Sequence, residues 1–420
     1  MRYGSDHAHD EDDDDTTVKK KTTYTRVRVC VCVRVYTQLQ RERERRMSVS
    51  GLTVYPIKSC RGQQLNAAAL ARDASGGFIY DRHWIVLVRK KNTTEGDEWK
   101  MCTQRTHPKM ATIDAKIDEA VLAGEREPNS GDCLRMEVDG SNALDVPLCS
   151  TGAEPGEDGG AQVHDVRVWG WKGKVVDEGD EAAQWLCAAL RGSGDGTNAG
   201  EASEVGEEEE ETGEQEFRLA RFDAAVSSRV VESRYNSRND PAVTELADGF
   251  PILVANEKSA NDVNRRTEGA HVAMDRFRAN VVVGGDEFGP WIEDTWDHIT
   301  VSRADEASVV VLSLVKPCAR CTVPEVNQDT GEVLRPPPAD DDNDKNDEDK
   351  NDAVTTVTAA LKSLGRSGVD LGYTDRKLLG GLFFGWNALV DRRSSSSSPR
   401  LVVRVGDKVV PTARDAGVCF

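Results

Sequence analysis

Beyond Ser50 the chain alternates short apolar runs with turn-forming residues. LTVYPIK (52–58), HWIVLVRK (83–90), RMEVDG (135–140) and VRVWGWKGKVV (166–176) are rich in β-branched and aromatic residues and are bounded by glycine, proline or charge. That pattern predicts strands of an antiparallel or barrel-like sheet. The period changes in DEAAQWLCAALRG (180–192), where Ala183, Trp185, Leu186, Ala189 and Leu190 can share one broad helical face and Gly192 supplies a stop. A second group of runs follows. FPILVANEKSANDVNRR (250–266) reads as a buried strand leading into a helix that starts near Asn256 or Glu257. FRANVVVGG (277–285), ITVSR (299–303), SVVVLSLVKPC (308–318), LGGLFFGWNALV (379–390) and RLVVRVGDKVV (400–410) read as strands. The expected class is mainly β with some helix (α+β), without an internal repeat.

Polar stretches divide this pattern. Residues 1–48 are charged and threonine-rich and cannot bury enough apolar surface to offset their ordering entropy, so a disordered low-complexity tail is expected, with VRVCVCVRV (27–35) a strand-like run of no assigned role. A first domain is expected over 49–195, an acidic linker over 196–216 and a second domain over 217–415, interrupted by an acidic insertion at 335–353. The run 201–216 holds nine acids and no base, and 340–352 holds eight acids against two lysines, so these two runs supply most of the formal charge of −19. Such insertions belong at loop tips, because closure entropy grows only with the logarithm of length. The acidic balance excludes bulk nucleic-acid binding. A small anionic ligand needs only a few local cations.

No run reaches the roughly eighteen apolar residues that crossing a membrane requires. The first residues, MRYGSDHAHDEDDDD, are too acidic for a transit peptide and lack the apolar core of a signal peptide. Ten cysteines at irregular spacing fit reduced thiols, with cytoplasmic and mitochondrial locations both compatible.

The chemistry centres on PCARC, where Cys318 and Cys321 flank Arg320. A zinc site normally has four ligands and this pair supplies two; no histidine follows Cys321. A thioredoxin-like motif would open a helix, which Pro324 and the turn at Asp329-Thr330-Gly331 oppose. Two buried structural cysteines are a third reading, but Lys316 and Arg320 alongside favour a thiolate in at least one. A soft thiolate suits a soft or high-valent metal centre. Lys58 and Ser59 at a strand end, Arg82 in YDRHW, and Arg278 with Asn280 at a strand start each suit a solvated surface or a phosphate-binding loop.

Taken in order, YPIKSCRG, DRHW, CTQR, VWGW with AAQWL, FPILVANEKS, FRANVVV, EDTW, PCARCTVPEVNQDTGE, FFGWNA and VRVGDKV resemble the MOSC family, the molybdenum-cofactor-binding module of cofactor sulfurase C-termini. With the family's N-terminal β-barrel partner, the pattern is most similar to the mitochondrial amidoxime-reducing component and its bacterial relatives, over roughly residues 50–412. The resemblance implies two β-barrel-like domains with a cofactor cleft between them. It implies that Cys321 is the catalytic and metal-coordinating thiolate, with Cys318 and Arg320 shaping its loop. Lys58, Ser59 and Arg82 match positions that bind the phosphate and pterin parts of the cofactor, Arg278 and Asn280 another contacting pair, Asp248 and Gly249 a close backbone approach, and Asn387 a last contact. Ala279 stands where the family usually has proline, and Gly249-Phe250 replaces small hydroxyl residues.

The implied cofactor is a molybdenum-pterin (Mo-molybdopterin), and the implied reaction is reduction of small N-hydroxylated or N-oxygenated compounds. Electrons would come from a donor protein, a b-type cytochrome with its flavin reductase or a ferredoxin-like protein, since no flavin, haem or iron–sulfur motif is legible. The alternative is a cofactor carrier or sulfur-transfer module. Sulfurases carry a large pyridoxal-phosphate domain ahead of the MOSC part, the source of a family-level link to pyridoxal phosphate, whereas fewer than fifty residues precede the first domain here.

Overall fold

The computed structural model describes residues 47–71, 76–90, 98–149, 161–191, 215–236, 241–267, 271–286, 288–303, 308–335, 355–396 and 400–415. The expected tail up to residue 46, the acidic residues 201–214 and the insertion from 336 lie outside these.

The late strands form a closed barrel of seven: Val281–Gly284, Ile252–Asn256, Phe383–Val390, Val309–Ala319, Trp296–Ser302, Lys408–Ala413 and Ser48–Val54, with Ser48–Val54 pairing back onto Val281–Gly284. All neighbours run antiparallel except Ile252–Asn256 and Val281–Gly284, which are parallel and joined through the helix Glu257–Arg266. Closure removes exposed strand edges. The interior is packed by Leu52, Val54, Ile252, Val254, Val281, Val283, Ile299, Leu312 and Trp386, alternate inward positions of successive strands.

A second sheet runs Lys100–Met101, Trp84–Lys90, Gln215–Arg221, Trp171–Asp177, Val163–Val168 and curls into a nearly closed barrel. Ile85, Leu87, Val166, Val168, Val175 and Ala220 fill one side of it. The expected helix is present as Asp180–Leu190, with Ala182, Ala183, Leu186, Ala189 and Leu190 buried. Five α-helices occur among the described residues. The two halves exchange strands: Ser48–Val54, early in the chain, closes the late barrel, and Gln215–Arg221 pairs with Trp84–Lys90 of the early sheet. Pairing partners are set by long-range register, which local alternation does not encode.

Asn256 caps the helix Glu257–Arg266, its Oδ1 accepting from the Lys258 N–H at 2.9 Å. Its Nδ2 donates to Glu293 Oε2 at 2.8 Å, and the Ser259 hydroxyl donates to Glu293 Oε1 at 2.6 Å. Glu293 is fully buried, and its charged form is paired with no cation among the described residues. Burial pushes this carboxyl up to about 7 despite those two hydrogen bonds. Because the native form holds its proton to higher pH than the unfolded chain, Glu293 favours folding most below pH 4.5, and that contribution declines as pH rises through about 7. The Glu293→Gln variant should gain on wild type by about 3 kcal/mol between pH 4.5 and pH 8. Urea unfolding at both pH values measures this, and parallel pH profiles for the two proteins would contradict it.

Candidate functional site

One cleft is lined by every residue that the resemblance singles out: Lys58, Ser59, Arg82, Asp248, Gly249, Arg278, Asn280, Arg320, Cys321 and Asn387, together with Cys318. Thr103, Arg105, Trp169, Phe250, Phe277 and Val323 complete much of the wall. The residues come from both halves of the chain, so strand exchange and barrel closure assemble the cleft.

The backbone here is unusual in a way that sequence does not announce. Of the six non-glycine residues with positive φ among those described, four line this cleft: Ser59 (69°), Arg82 (54°), Trp169 (54°) and Arg278 (57°). The left-handed region costs a side-chain-bearing residue about 1 kcal/mol or more, and it persists only where surrounding contacts impose it. For Arg82 these are its N–H to the Tyr55 carbonyl at 2.7 Å and Nη2 to the Arg278 carbonyl at 3.0 Å. Arg278 ends the 3-10 turn Met274–Phe277, its N–H donating to the Asp275 carbonyl at 2.9 Å, and its Nη1 reaches the Cys60 carbonyl at 2.7 Å. Both guanidinium carbons lie 4.3 Å from the centroid of the Tyr55 ring. Asn280 is a brace: its Nδ2 donates to the Thr53 carbonyl (3.1 Å) and to Asp81 Oδ1 (3.0 Å), and its Oδ1 accepts from the Leu253 N–H (3.1 Å). Its amide is thereby committed to protein partners, with Ser59 and Asn387 contributing to the same wall.

Electrostatically the cleft is positive. Among the described residues, five basic side chains line it against one carboxylate, Asp248. Lys58, buried, pairs with Asp248, and the Trp169 indole N–H also donates to that carboxylate at 2.9 Å. Burial lowers the Lys58 ammonium from its usual range, the Asp248 charge opposing. The Arg229 guanidinium fixes this segment by donating to the carbonyls of Glu245 (3.0 Å), Ala247 and Asp248 (3.1 Å). A Cβ built on Gly249 would meet nothing within 4 Å, so its backbone faces open space. Arg278 is brought down to about 10, by burial first and then by the neighbouring Arg82 charge. Two buried nitrogens, Arg278 Nη2 and Arg320 Nε, have no hydrogen-bond partner among the described residues. Unsatisfied buried donors are costly, and clustered guanidinium groups repel. An anion supplies what both lack.

The thiols sit at the end of the strand Val309–Ala319, where the register slips between Leu314 and Lys316 and again between Pro317 and Ala319. No long helix follows; the chain enters the short 3-10 turn Val323–Glu325 and then the turn around Thr330-Gly331. Arg320 Nη1 lies 3.1 Å from Cys318 Sγ, its Nη2 donates to the Phe277 carbonyl at 3.0 Å, and its N–H donates to the Leu382 carbonyl at 2.7 Å. Lys316, the other cation that the sequence puts beside the thiols, turns to the rings of Tyr235 (5.6 Å) and Phe250 (5.8 Å). Cys318 is half-buried and Cys321 is exposed.

A buried amide pair ties this loop to the early half. Gln104 Nε2 donates to Gln328 Oε1 at 2.9 Å and Gln328 Nε2 to Gln104 Oε1 at 3.0 Å, while Gln104 also reaches the Ser59 carbonyl at 2.9 Å. Glu325 holds the N-terminus of the helix Val357–Ser363, accepting from the N–H groups of Val357 and Thr358 at 2.8 Å each. Gln104, Arg105 and Trp169, in CTQR and VWGW, have no role that the sequence pattern assigns. The signals that could have found them were the Trp169-Gly170 turn between two strands and the polar run that follows the strand Lys100–Met101. Among the described residues no group of three or more histidine, cysteine or acidic side chains is arranged to hold a metal, so the protein-only zinc site has no ligand set there.

Comparison with known proteins agrees with this architecture. Residues 46–193 match the MOSC N-terminal beta barrel domain and residues 241–410 match the MOSC domain. The chain belongs to the MOSC family, carrying the MOSC domain behind its N-terminal barrel partner. It is similar to mitochondrial amidoxime reducing component 2 of Bos taurus, 27% identical over 292 residues covering 69% of this chain and 70% of the relative. The same component from Homo sapiens is 25% identical over 295 residues, covering 70% of each chain. Mitochondrial amidoxime-reducing component 1 of Xenopus laevis is 27% identical over 296 residues, covering 70% of this chain and 69% of the relative.

The thiol environments give a direct test of the cleft. Cys60 and Cys102 are fully buried, and burial pushes the Cys60 thiol up to about 12 and raises Cys102 as well. In the folded protein iodoacetamide should therefore modify Cys321 and leave Cys60 and Cys102 untouched until denaturant is added. Peptide mass spectrometry reads the order, and protection of Cys321 with modification of Cys60 would contradict this placement.

Proposed function

We propose that this cleft holds a molybdenum-pterin cofactor and reduces small N-hydroxylated or N-oxygenated compounds. The observation that carries the reading is the meeting, in one cation-lined cleft, of an exposed thiol with two buried guanidinium nitrogens that lack partners among the described residues. The residues present fit such a group. Lys58, Arg82, Arg278 and Arg320 would offset the charge of an anionic cofactor, the open space at Gly249 admits a ligand close to backbone, and Cys321 would be the protein's thiolate ligand. When bound, the group supplies the two-electron removal of oxygen from nitrogen; an N-hydroxy compound takes up two electrons and two protons and leaves as the N–H compound and water.

The chain's own part is position and electrostatics. The left-handed turns at Arg82 and Arg278 aim guanidinium groups into the cleft, and the Gln104–Gln328 pair sets the cysteine loop against the Ser59 turn. Arg320, near Cys318 and with Nε unpartnered among the described residues, sets a positive charge beside the cysteine loop. Electrons are supplied by a donor protein of the cytochrome b type with its flavin reductase, or a ferredoxin-like protein. No helix among the described residues is long and apolar enough to cross a membrane. The relatives' name places them in mitochondria; a cytoplasmic or mitochondrial location fits a chain rich in reduced thiols.

A cofactor carrier or sulfur-transfer module would use the same anion-binding wall. Reduction of benzamidoxime by the molybdenum-loaded protein with an artificial electron donor separates the two readings. Cys321→Ser should lower that turnover by more than about 100-fold with the fold intact by circular dichroism, while Cys318→Ser should cost about tenfold, as a neighbour of a metal ligand does. Equal turnover of wild type and Cys321→Ser would remove Cys321 from the role.

A further inference from the structure

The mouth of the cleft carries a cation that the cofactor reading does not use. Arg105 is exposed, and among the described residues its guanidinium has no carboxylate partner. Its carbon lies 4.7 Å from the centroid of the Trp169 ring. The other basic residues differ: Lys58 is paired to Asp248, Arg82 to Asp81, Arg278 donates to Cys60 and Arg320 contacts Cys318. Trp169 is 45% exposed, which is high for an indole that also lines a cleft. It occupies the first position of the two-residue turn between Val163–Val168 and Trp171–Asp177, at a positive φ that normally calls for glycine.

Both residues are held in place. The neighbour of Arg105 is the buried Gln104, locked to Ser59 and Gln328, and the turn is closed by the His107 N–H donating to the Thr103 carbonyl at 2.8 Å. Trp169 is anchored by its N–H to Asp248. An anchored aromatic ring and a guanidinium without a carboxylate partner among the described residues thus stand together at the mouth of the cleft that contains Cys321.

We propose that Arg105 and Trp169 form a substrate shelf that selects planar N-oxygenated compounds bearing a carboxylate over their uncharged counterparts. Resting on the reductase reading of the cleft, this names its substrate class: Trp169 supplies a stacking surface and Arg105 a charge-assisted partner for the carboxylate. Neutral planar compounds gain the first contact and forgo the second.

Two measurements test the shelf. Calorimetry compares benzamide with 4-carbamoylbenzoate, planar amides without an N–O bond, on the cofactor-loaded protein. The carboxylate compound should bind about tenfold tighter, Arg105→Gln should erase the difference, and Trp169→Gly, which suits the left-handed backbone, should weaken both ligands. Turnover should follow: the kcat/KM ratio of 4-carboxybenzamidoxime to benzamidoxime, about ten in wild type, should fall to about one in Arg105→Gln. An unchanged ratio or equal affinities in wild type would overturn the proposal, as would loss of molybdenum and pterin from Arg105→Gln, which would give Arg105 to the cofactor. If neither amidoxime is reduced, the reductase reading fails, while the amide affinities still decide the shelf.

Discussion

The cleft depends on one buried carboxylate. Asp81 accepts a hydrogen bond from the Tyr55 N–H at 2.8 Å, another from Asn280 Nδ2 at 3.0 Å, and is paired with Arg82. Those three partners follow the strand Ser48–Val54, precede Val281–Gly284 and precede Trp84–Lys90, so a single side chain joins the seam that closes the late barrel to the sheet of the early half. The same three segments carry Lys58 with Ser59, Arg278, and Arg82. Removing a buried hydrogen-bonded charge leaves its donors unpaired at a cost of several kcal/mol. Here it would also release the ion pair to Arg82, one of the residues in left-handed backbone.

That arrangement concentrates like charges where water is partly excluded. Arg82 and Arg278 share the face-on company of Tyr55, whose own hydroxyl burial holds at about 12, so it cannot serve as a counter-ion near neutral pH. Asp248 neutralises Lys58 alone. The remaining positive charge, with Arg278 Nη2 and Arg320 Nε unpartnered among the described residues, makes the cleft complementary to an anion. The exposed thiol of Cys321 faces into this field, in contrast to Cys60 and Cys102, which are sealed in hydrocarbon. Position therefore separates an exposed sulfur in the cleft from sulfurs sealed in the core.

Much of this was legible in the sequence. β-branched runs and their bounding turns predicted a mainly β chain; the apolar face of 180–192 and the Asn256-Glu257 helix start correspond to the helices Asp180–Leu190 and Glu257–Arg266. Pro324 and the Asp329-Thr330-Gly331 turn correctly spoke against a helix after the cysteines. Ordered motifs led to the residues that share the cleft. Strand exchange between the halves was not legible, because register is a long-range property and Ser48–Val54 reads the same whichever sheet it joins. Nor were the left-handed conformations: nothing local in Ser59, Arg82 or Arg278 favours positive φ, and only tertiary contacts impose it. Asn280 shows the limit of matching residues to roles, since its amide is spent bracing the seam.

We propose that the cleft holds an anionic, metal-bearing pterin. Elemental analysis and pterin quantification of the full chain, expressed in a host that makes the cofactor, test it most directly. About one molybdenum and one pterin per chain are expected, with both depleted when Arg278 is replaced by alanine. Stoichiometric zinc without molybdenum, or full cofactor retention in the Arg278→Ala protein, would contradict it.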